Sequence, residues 1–341
     1  MSLAATVASA GPWKLMAEET TVRLGHLAPK SRIVRSFCLH FGLSLLRRNE
    51  SVERIATLSS GGRMLLHLHP GTIQYYFLGT MDSCPVEVPV EQLLRRALRK
   101  GDVFFDVGAN VGFYTFLAAT LCGKAGSVHA FEANPGLKAD LVSSVSLNEC
   151  PERIAINAVA VGQAHGGEIA LYFPPDSSAT GIPSTIRHEW LNMGPQLSVP
   201  LISIDGYMSD NKLTRLDVVK LDIEGGELSA LKGMIKTITT TAPSLIVCEL
   251  MGSSVSFHGE SHQRSASAHD WSDIVEFMRG QGYEPWHIRP WDGKLDHVST
   301  PDEIEEITAA LNVANVCFAR PDLRLTRPEL YSSVQAGGRH L

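Results

Sequence analysis

The sequence predicts an α/β fold built on a doubly wound, mostly parallel sheet, and three observations carry that expectation. Five short β-rich runs, VFFDV, SVHAFE, IAINAVAV, DVVKLDI and SLIVCEL, follow one another along the chain. Those after the first are separated by segments long enough for helices or crossovers. The first run passes through Gly108, Asn110 and Gly112 directly into an apolar helical stripe. With 341 residues, 44% hydrophobic and 19% charged, the chain can bury a core large enough for one α/β domain with additions.

The bulk charge narrows the partners. A net charge of −6 gives no general attraction to nucleic acid or to an acidic membrane, so nucleic acid is a minority reading, although a local basic patch could hide inside that balance. The N-terminus lacks the basic lead of a signal peptide. The apolar stretch from Ile33 to Leu46 is interrupted by Arg35 and His40 and falls short of the roughly 20 residues a spanning helix needs. A cytoplasmic location is the resulting expectation. Cys38, Cys84, Cys122, Cys150, Cys248 and Cys317 are scattered, with no C-x-x-C pair, and read as buried free thiols.

In chain order, residues 1–64 read as a flexible lead and an amphipathic helical region, with a break at 59–62. The main domain is placed at 65–320 and a C-terminal tail at 321–341. The domain opens with RMLLHLHPGTIQYYFLG, whose short apolar runs broken by Pro70 and Gly71 suit a hairpin or meander. Val90, Leu93, Leu94, Ala97 and Leu98 recur at helical spacing until Gly101 ends the helix. Phe113, Phe116, Leu117, Thr120 and Leu121 form one helical stripe, and Leu228, Leu231, Ile235 and Ile238 another; both are expected to face the core. Residues 174–198 and 252–270 read as loops over a site.

The chemistry starts at FFDVGANVGFYT, where a strand ends in Asp106 and turns into a helix. Glycine there lets a ligand approach the backbone and supplies dihedrals that other residues adopt at a cost. The nicotinamide fingerprint G-x-G-x-x-G is matched poorly, and a purely structural turn stays open as an alternative. About 20 residues after the turn SVHAFE ends in Glu132, where a ribose-reading acid is expected; a solvated strand-end Glu is the alternative. Asp222 and Glu224 close DVVKLDI at the carboxyl end of a strand, where open α/β sheets place their ligands, whereas Glu227 equally suits a helix cap. His258, His262 and His269 show no metal-ligand spacing and read as solvated residues of a loop that would also suit a lid or a substrate contact. Trp271, Trp286 and Trp291 read as packing residues, with an apolar face for a sugar as the alternative.

Taken with VVKLDIEGGELSALKG, which places Lys220, Asp222, Glu224, Gly225 and Glu227 in one run, the glycine turn resembles the FkbM family of S-adenosylmethionine-dependent methyltransferases. APSLIVCEL, ending in Glu249, and the later Gly282-Tyr283 pair extend the resemblance over roughly residues 65–290. Ala133 departs from the pattern, since many members carry Pro directly after the ribose-binding Glu, and here Pro135 comes later.

The resemblance implies a class I, Rossmann-like methyltransferase with a small N-terminal helical and β accessory region. S-adenosyl-L-methionine would be held by Asp106, Gly108, Ala109, Asn110, Gly112, Thr115 and Glu132. The acceptor would be a sugar or secondary-metabolite hydroxyl. Asp222, Glu224 and Glu249 end two successive β runs, so they are expected to converge at one sheet edge and to act on that acceptor as base or orienting groups. They suit a divalent metal such as magnesium or a metal-free site; the metal-free version is expected, because no His joins them at ligand spacing. Methylation of nitrogen or carbon, a nicotinamide-dependent oxidoreductase and a noncatalytic nucleotide binder are the alternatives.

Overall fold

A computed structural model describes residues 52–58, 60–68, 87–173, 183–187, 196–251, 254–257, 260–263, 271–300, 303–304, 307 and 313–332. An N-terminal hairpin pairs β1 (Val52–Thr57) with β2 (Arg63–Leu68) in antiparallel register, Val52 opposite Leu68. Helix α1 (Glu87–Ala97) leads into β3 (Val103–Val107), α2 (Phe113–Cys122), β4 (Ser127–Phe131), α3 (Lys138–Val145) and β5 (Ile154–Asn157). Three strands then form a separate small sheet: β6 (Ala160–Val161), β7 (Glu168–Tyr172) and β8 (Gln196–Ile202). The main sheet resumes after α4 (Ile204–Asp210) with β9 (Val218–Leu221), then α5 (Glu227–Lys232), α6 (Ile235–Thr241) and β10 (Leu245–Met251). A hairpin of β11 (Ser254–Phe257) and β12 (Glu260–Gln263) precedes α7 (Trp271–Gly280), β13 (Glu284–Ile288), β14 (Leu295–His297), β15 (Val313–Ala319) and α8 (Leu323–Thr326).

The main sheet has eight strands in the order β14-β13-β15-β10-β9-β3-β4-β5. β5, β4, β3, β9 and β10 run parallel, whereas β15 lies antiparallel between β10 and β13, and β14 pairs antiparallel with β13. The strand order reverses at β3 and β9, and in such sheets ligands settle beyond the carboxyl ends at that reversal.

The predicted five-strand alternation is therefore present, with both sheet faces covered. Side chains alternate along each strand, so Phe104, Val218 and Val247 join one apolar cluster with Val90, Phe116 and Leu141. Phe105, Val219 and Ile246 join the opposite one with Tyr207, Leu231 and Ile274. IAINAVAV divides between two sheets, because β5 ends at Asn157 and β6 pairs with β8.

Other expectations are corrected by packing. The helical reading reached residue 60, but 52–57 form β1, whose partner β2 buries Met64 and Leu66 in the main core. The hairpin is held to α3 and the turn after it. Ser144 Oγ accepts from the Leu65 amide at 2.8 Å, and Asn148 Oδ1 accepts from the Arg63 amide at 2.8 Å. Ile235, expected in the core stripe, is 43% exposed, because the chain breaks between α5 and α6 and rotates it outward; Thr120 is exposed as well. Part of the 252–270 segment is the β11–β12 hairpin and not loop. Residues 323–331, set apart as a tail, pack into the domain: Leu330 is fully buried, and the Arg327 guanidinium donates to the Arg96 and Ala97 carbonyls at the end of α1. Cys122, Cys248 and Cys317 are free and buried, and Cys150 is half-buried; Cys38 and Cys84 lie outside the described residues, as do residues 1–50.

Candidate functional site

The turn after β3 is tied down by its neighbours. The amides of Gly108 and Ala109 donate to the Phe131 carbonyl at 2.9 and 3.0 Å, and the Gly112 amide to the Ala109 carbonyl at 2.8 Å. Three residues of the turn have positive φ: Gly108 (82°), Asn110 (50°) and Gly112 (91°). Glycine is demanded at the first and last for packing as much as for dihedral freedom. A β-carbon at Gly112 would lie 2.5 Å from the Phe116 ring, and one at Gly108 would overlap the carbonyl of Asp222. The close approach foreseen at Gly108 is thus filled by the protein's own backbone.

Glu132 closes the turn from the end of β4. Its carboxylate accepts from the Asn110 amide and from the Asn134 amide, both at 2.7 Å, so the acid and the glycine turn form one unit. Burial pushes its pKa up to about 7 against those two hydrogen bonds, with the charges of Asp106 and Asp222 adding to the rise. Asp106 is fully buried and accepts from the Thr115 hydroxyl at 2.6 Å. Burial also raises the Asp106 carboxyl above its ordinary range, opposed by the charge of Lys220 and the hydrogen bond from Thr115. Asp106 Oδ1 and Asn110 Oδ1 are buried with no hydrogen-bond partner among the described residues, which leaves two acceptors open beside the turn.

The acid group foreseen at the next two strand ends is assembled. Asp222, Glu224 and Glu249 each offer a carboxylate oxygen within 4.8 Å of the others, and all three are partly exposed. The Asp222 amide donates to the Val107 carbonyl at 2.9 Å, which sets this group beside the glycine turn. Burial disfavours ionisation of Asp222, but the charge of Lys220 and hydrogen bonds with Glu249 and Lys220 prevail and hold its carboxyl below the ordinary range. Glu224 goes the other way: burial, then the charges of Asp222 and Glu227, push it up to about 8. Three hard oxygen donors at this spacing could receive a divalent cation. The group also carries its own cation, Lys220 Nζ, 2.7 Å from Asp222 Oδ2 and 4.6 Å from the centre of the Tyr114 ring.

Glu227 stands apart from that group. Its Oε1 accepts from the Ile223 and Gly225 amides at 3.1 and 3.2 Å, so it closes the strand-to-helix turn. Trp271 and Trp286 are buried in the core, whereas Trp291 is 67% exposed under the Arg289 guanidinium. The side chains of His258, His262 and His269 lie outside the described residues. Sequence reasoning assigned no role to Lys220 or Tyr114, although both stand inside the quoted motifs, and it passed over Ser184, which has no local signal.

Residues 106–285 match the family model of the methyltransferase FkbM domain. Over 159 residues the chain is 30% identical to hexuronic acid methyltransferase AglP of Haloferax volcanii, in an alignment covering 45% of this chain and 58% of that protein. Over 198 residues it is 25% identical to 31-O-demethyl-FK506 methyltransferase FkbM of Streptomyces tacrolimicus, covering 51% and 73%. A solved structure of Aeropyrum pernix fibrillarin with natively bound S-adenosyl-L-methionine aligns at a TM-score of 0.36 and 11% identity, over 80% of this chain and 84% of that one. A likeness of that size adds nothing to the strand order already described. The acidic strand ends around the glycine turn lie within a domain match spanning more than half of the chain, and the chain belongs to the FkbM methyltransferase domain family.

Proposed function

We propose that the chain transfers the methyl group of S-adenosyl-L-methionine to a hydroxyl of a sugar or secondary metabolite. The observation that carries this reading is the convergence of Asp222, Glu224 and Glu249 immediately beside the glycine turn. Bound S-adenosylmethionine supplies an electrophilic methyl on a sulfonium. Glu132 would accept from the ribose hydroxyls with the lone pairs its two amide partners leave free, and Asp106 Oδ1 and Asn110 Oδ1 are further open acceptors at the strand end and in the turn.

On the acceptor side, a neutral hydroxyl is a poor nucleophile, and one carboxylate of the group would take its proton as the oxygen–carbon bond forms and the methyl carbon–sulfur bond breaks, its electron pair staying on the sulfur of S-adenosylhomocysteine. Asp222, kept ionised by Lys220, anchors the acceptor hydroxyl, and a positioned general base contributes about 10²–10⁴-fold. The Lys220–Asp222 pair supports the metal-free version of the site. The relatives' names, a hexuronic acid methyltransferase and a 31-O-demethyl-FK506 methyltransferase, support a sugar-type or secondary-metabolite acceptor, and the second name supports an oxygen.

The test incubates the protein and an isotopically labelled methyl donor with a metabolite pool that includes glucuronic acid glycosides, and follows label by mass spectrometry. Labelled ether and S-adenosylhomocysteine are expected, with chelator leaving the rate unchanged. Glu224→Gln and Glu249→Gln should each lower turnover at least tenfold. Bound donor that never yields S-adenosylhomocysteine would remove the enzymatic reading, and full activity in every acid variant would remove the carboxylate mechanism.

A further inference from the structure

Glu224 is a non-glycine residue at φ 57°, a left-handed conformation that survives only where the surroundings over-determine it. What determines it comes from 40 residues away. Ser184 is 1% exposed, and its hydroxyl donates to the Glu224 carbonyl at 2.9 Å. The same oxygen accepts from the Ile186 amide at 2.9 Å, which directs the hydroxyl proton toward Glu224. Ser184 is itself fixed, because its amide and carbonyl pair with both backbone groups of Tyr172, at 3.1 and 2.8 Å, at the end of β7. Glu227, the first residue of α5, holds the amides of Ile223 and Gly225. The turn carrying Glu224 is therefore gripped from its own helix and from the small sheet β6-β8-β7.

We propose that Ser184 is a positioning residue: by clamping the Glu224 carbonyl it holds the left-handed turn that aims the Glu224 side chain at Asp222 and Glu249. The role of this geometry in transfer rests on the function proposed above, but the clamp can be tested without an acceptor. Ser184→Ala removes one oxygen and keeps both backbone bonds to Tyr172, so it is expected to fold. Protein with ¹³C-carboxyl glutamate is titrated in the presence of S-adenosylhomocysteine, and Glu224→Gln identifies the Glu224 resonance.

In Ser184→Ala the Glu224 signal should move and its midpoint shift by about half a pH unit or more, while S-adenosylhomocysteine affinity changes less than twofold; Ser184→Thr, which keeps the hydroxyl, should restore the parent curve. If Ser184→Ala aggregates, Ser184→Cys, a weak donor, gives the same comparison. An unchanged Glu224 curve in a folded variant lacking the hydroxyl would overturn the clamp. Normal methyl transfer by Glu224→Gln would instead remove Glu224 from the transfer mechanism and leave the clamp standing.

Discussion

A β-carbon placed on Gly108 would lie 1.8 Å from the carbonyl oxygen of Asp222, so the glycine turn after β3 and the residue that follows β9 are in backbone contact. Gly167 has the same φ of 82° but open space around it. Gly167→Ala should therefore cost about 1–2 kcal/mol, the penalty of the left-handed conformation alone. Gly108→Ala should cost more, about 3 kcal/mol or above, since backbone must move as well. Urea unfolding of the two variants measures the difference, and equal losses would show that the contact with Asp222 relaxes freely.

Glu132 should make donor binding pH-dependent. Its pKa in the free protein is raised to about 7 by burial, and the charged form accepts better from ribose hydroxyls. Affinity should rise from pH 5.5 to 8 and level off above the raised pKa. Glu132→Gln should bind about tenfold more weakly at pH 8 and lose the slope. Calorimetry at four pH values distinguishes this from a merely structural Glu132, which would leave the slope in place.

Lys220 is 3% exposed and paired with the partly exposed Asp222, so removing the cation strips that carboxylate of a buried charge partner and of the hydrogen bond between them. Lys220→Met should destabilise the protein by about 3 kcal/mol. The double variant Lys220→Met/Asp222→Leu should recover much of that loss while remaining inactive. If the single variant melts like the parent, the pair contributes little to stability and its part in the site is electrostatic only.

His67 joins the N-terminal hairpin to α3 through Asp140 at 2.8 Å. The hydrogen bond that His67 donates to Asp140 raises the His67 pKa above 6.5, against partial burial and with help from Glu53. The folded-state value exceeds the unfolded one, so the stabilisation is fully present below pH 6.5 and is lost as pH rises through the raised value. Both groups are partly solvated, which limits the effect to about 1 kcal/mol or less. Amide exchange at Leu65 and Leu66 should quicken between pH 6 and 8 in the parent by more than base catalysis alone, and this excess should vanish in His67→Gln.

Local spacing was enough to read the strands that carry or lead into Asp106, Glu132, Asp222 and Glu249, because each is an apolar run with an acid near its carboxyl end, although β3 runs one residue past Asp106 and β10 two residues past Glu249. Their convergence followed from the parallel order of the sheet. Features made by distant pairing were not legible. Ser184 and Glu224 are 40 residues apart with no shared motif, and β15 enters the sheet beside β10 from more than 60 residues later. In β1, Val52–Thr57 is too short for a helical and an extended period to be told apart, and only the pairing with β2 decides it. Glu227 could be read as a cap or as a site acid until its two amide partners were located.

The place of β15 has a consequence for how the protein is made. Along its whole length β10, from Leu245 to Met251, pairs with residues 319 back to 313, and Glu249 lies opposite Asn315. During synthesis at about 5–20 residues per second, the outer edge of β10 waits roughly 3–12 s for its partner to be translated. For that interval an apolar strand bearing one of the three clustered acids presents unpaired amides and carbonyls, the kind of edge that recruits other chains. The nascent chain is thus most prone to misassociation after its glycine turn and first four parallel strands can already have formed, and a stall within residues 252–312 would expose the edge for longest.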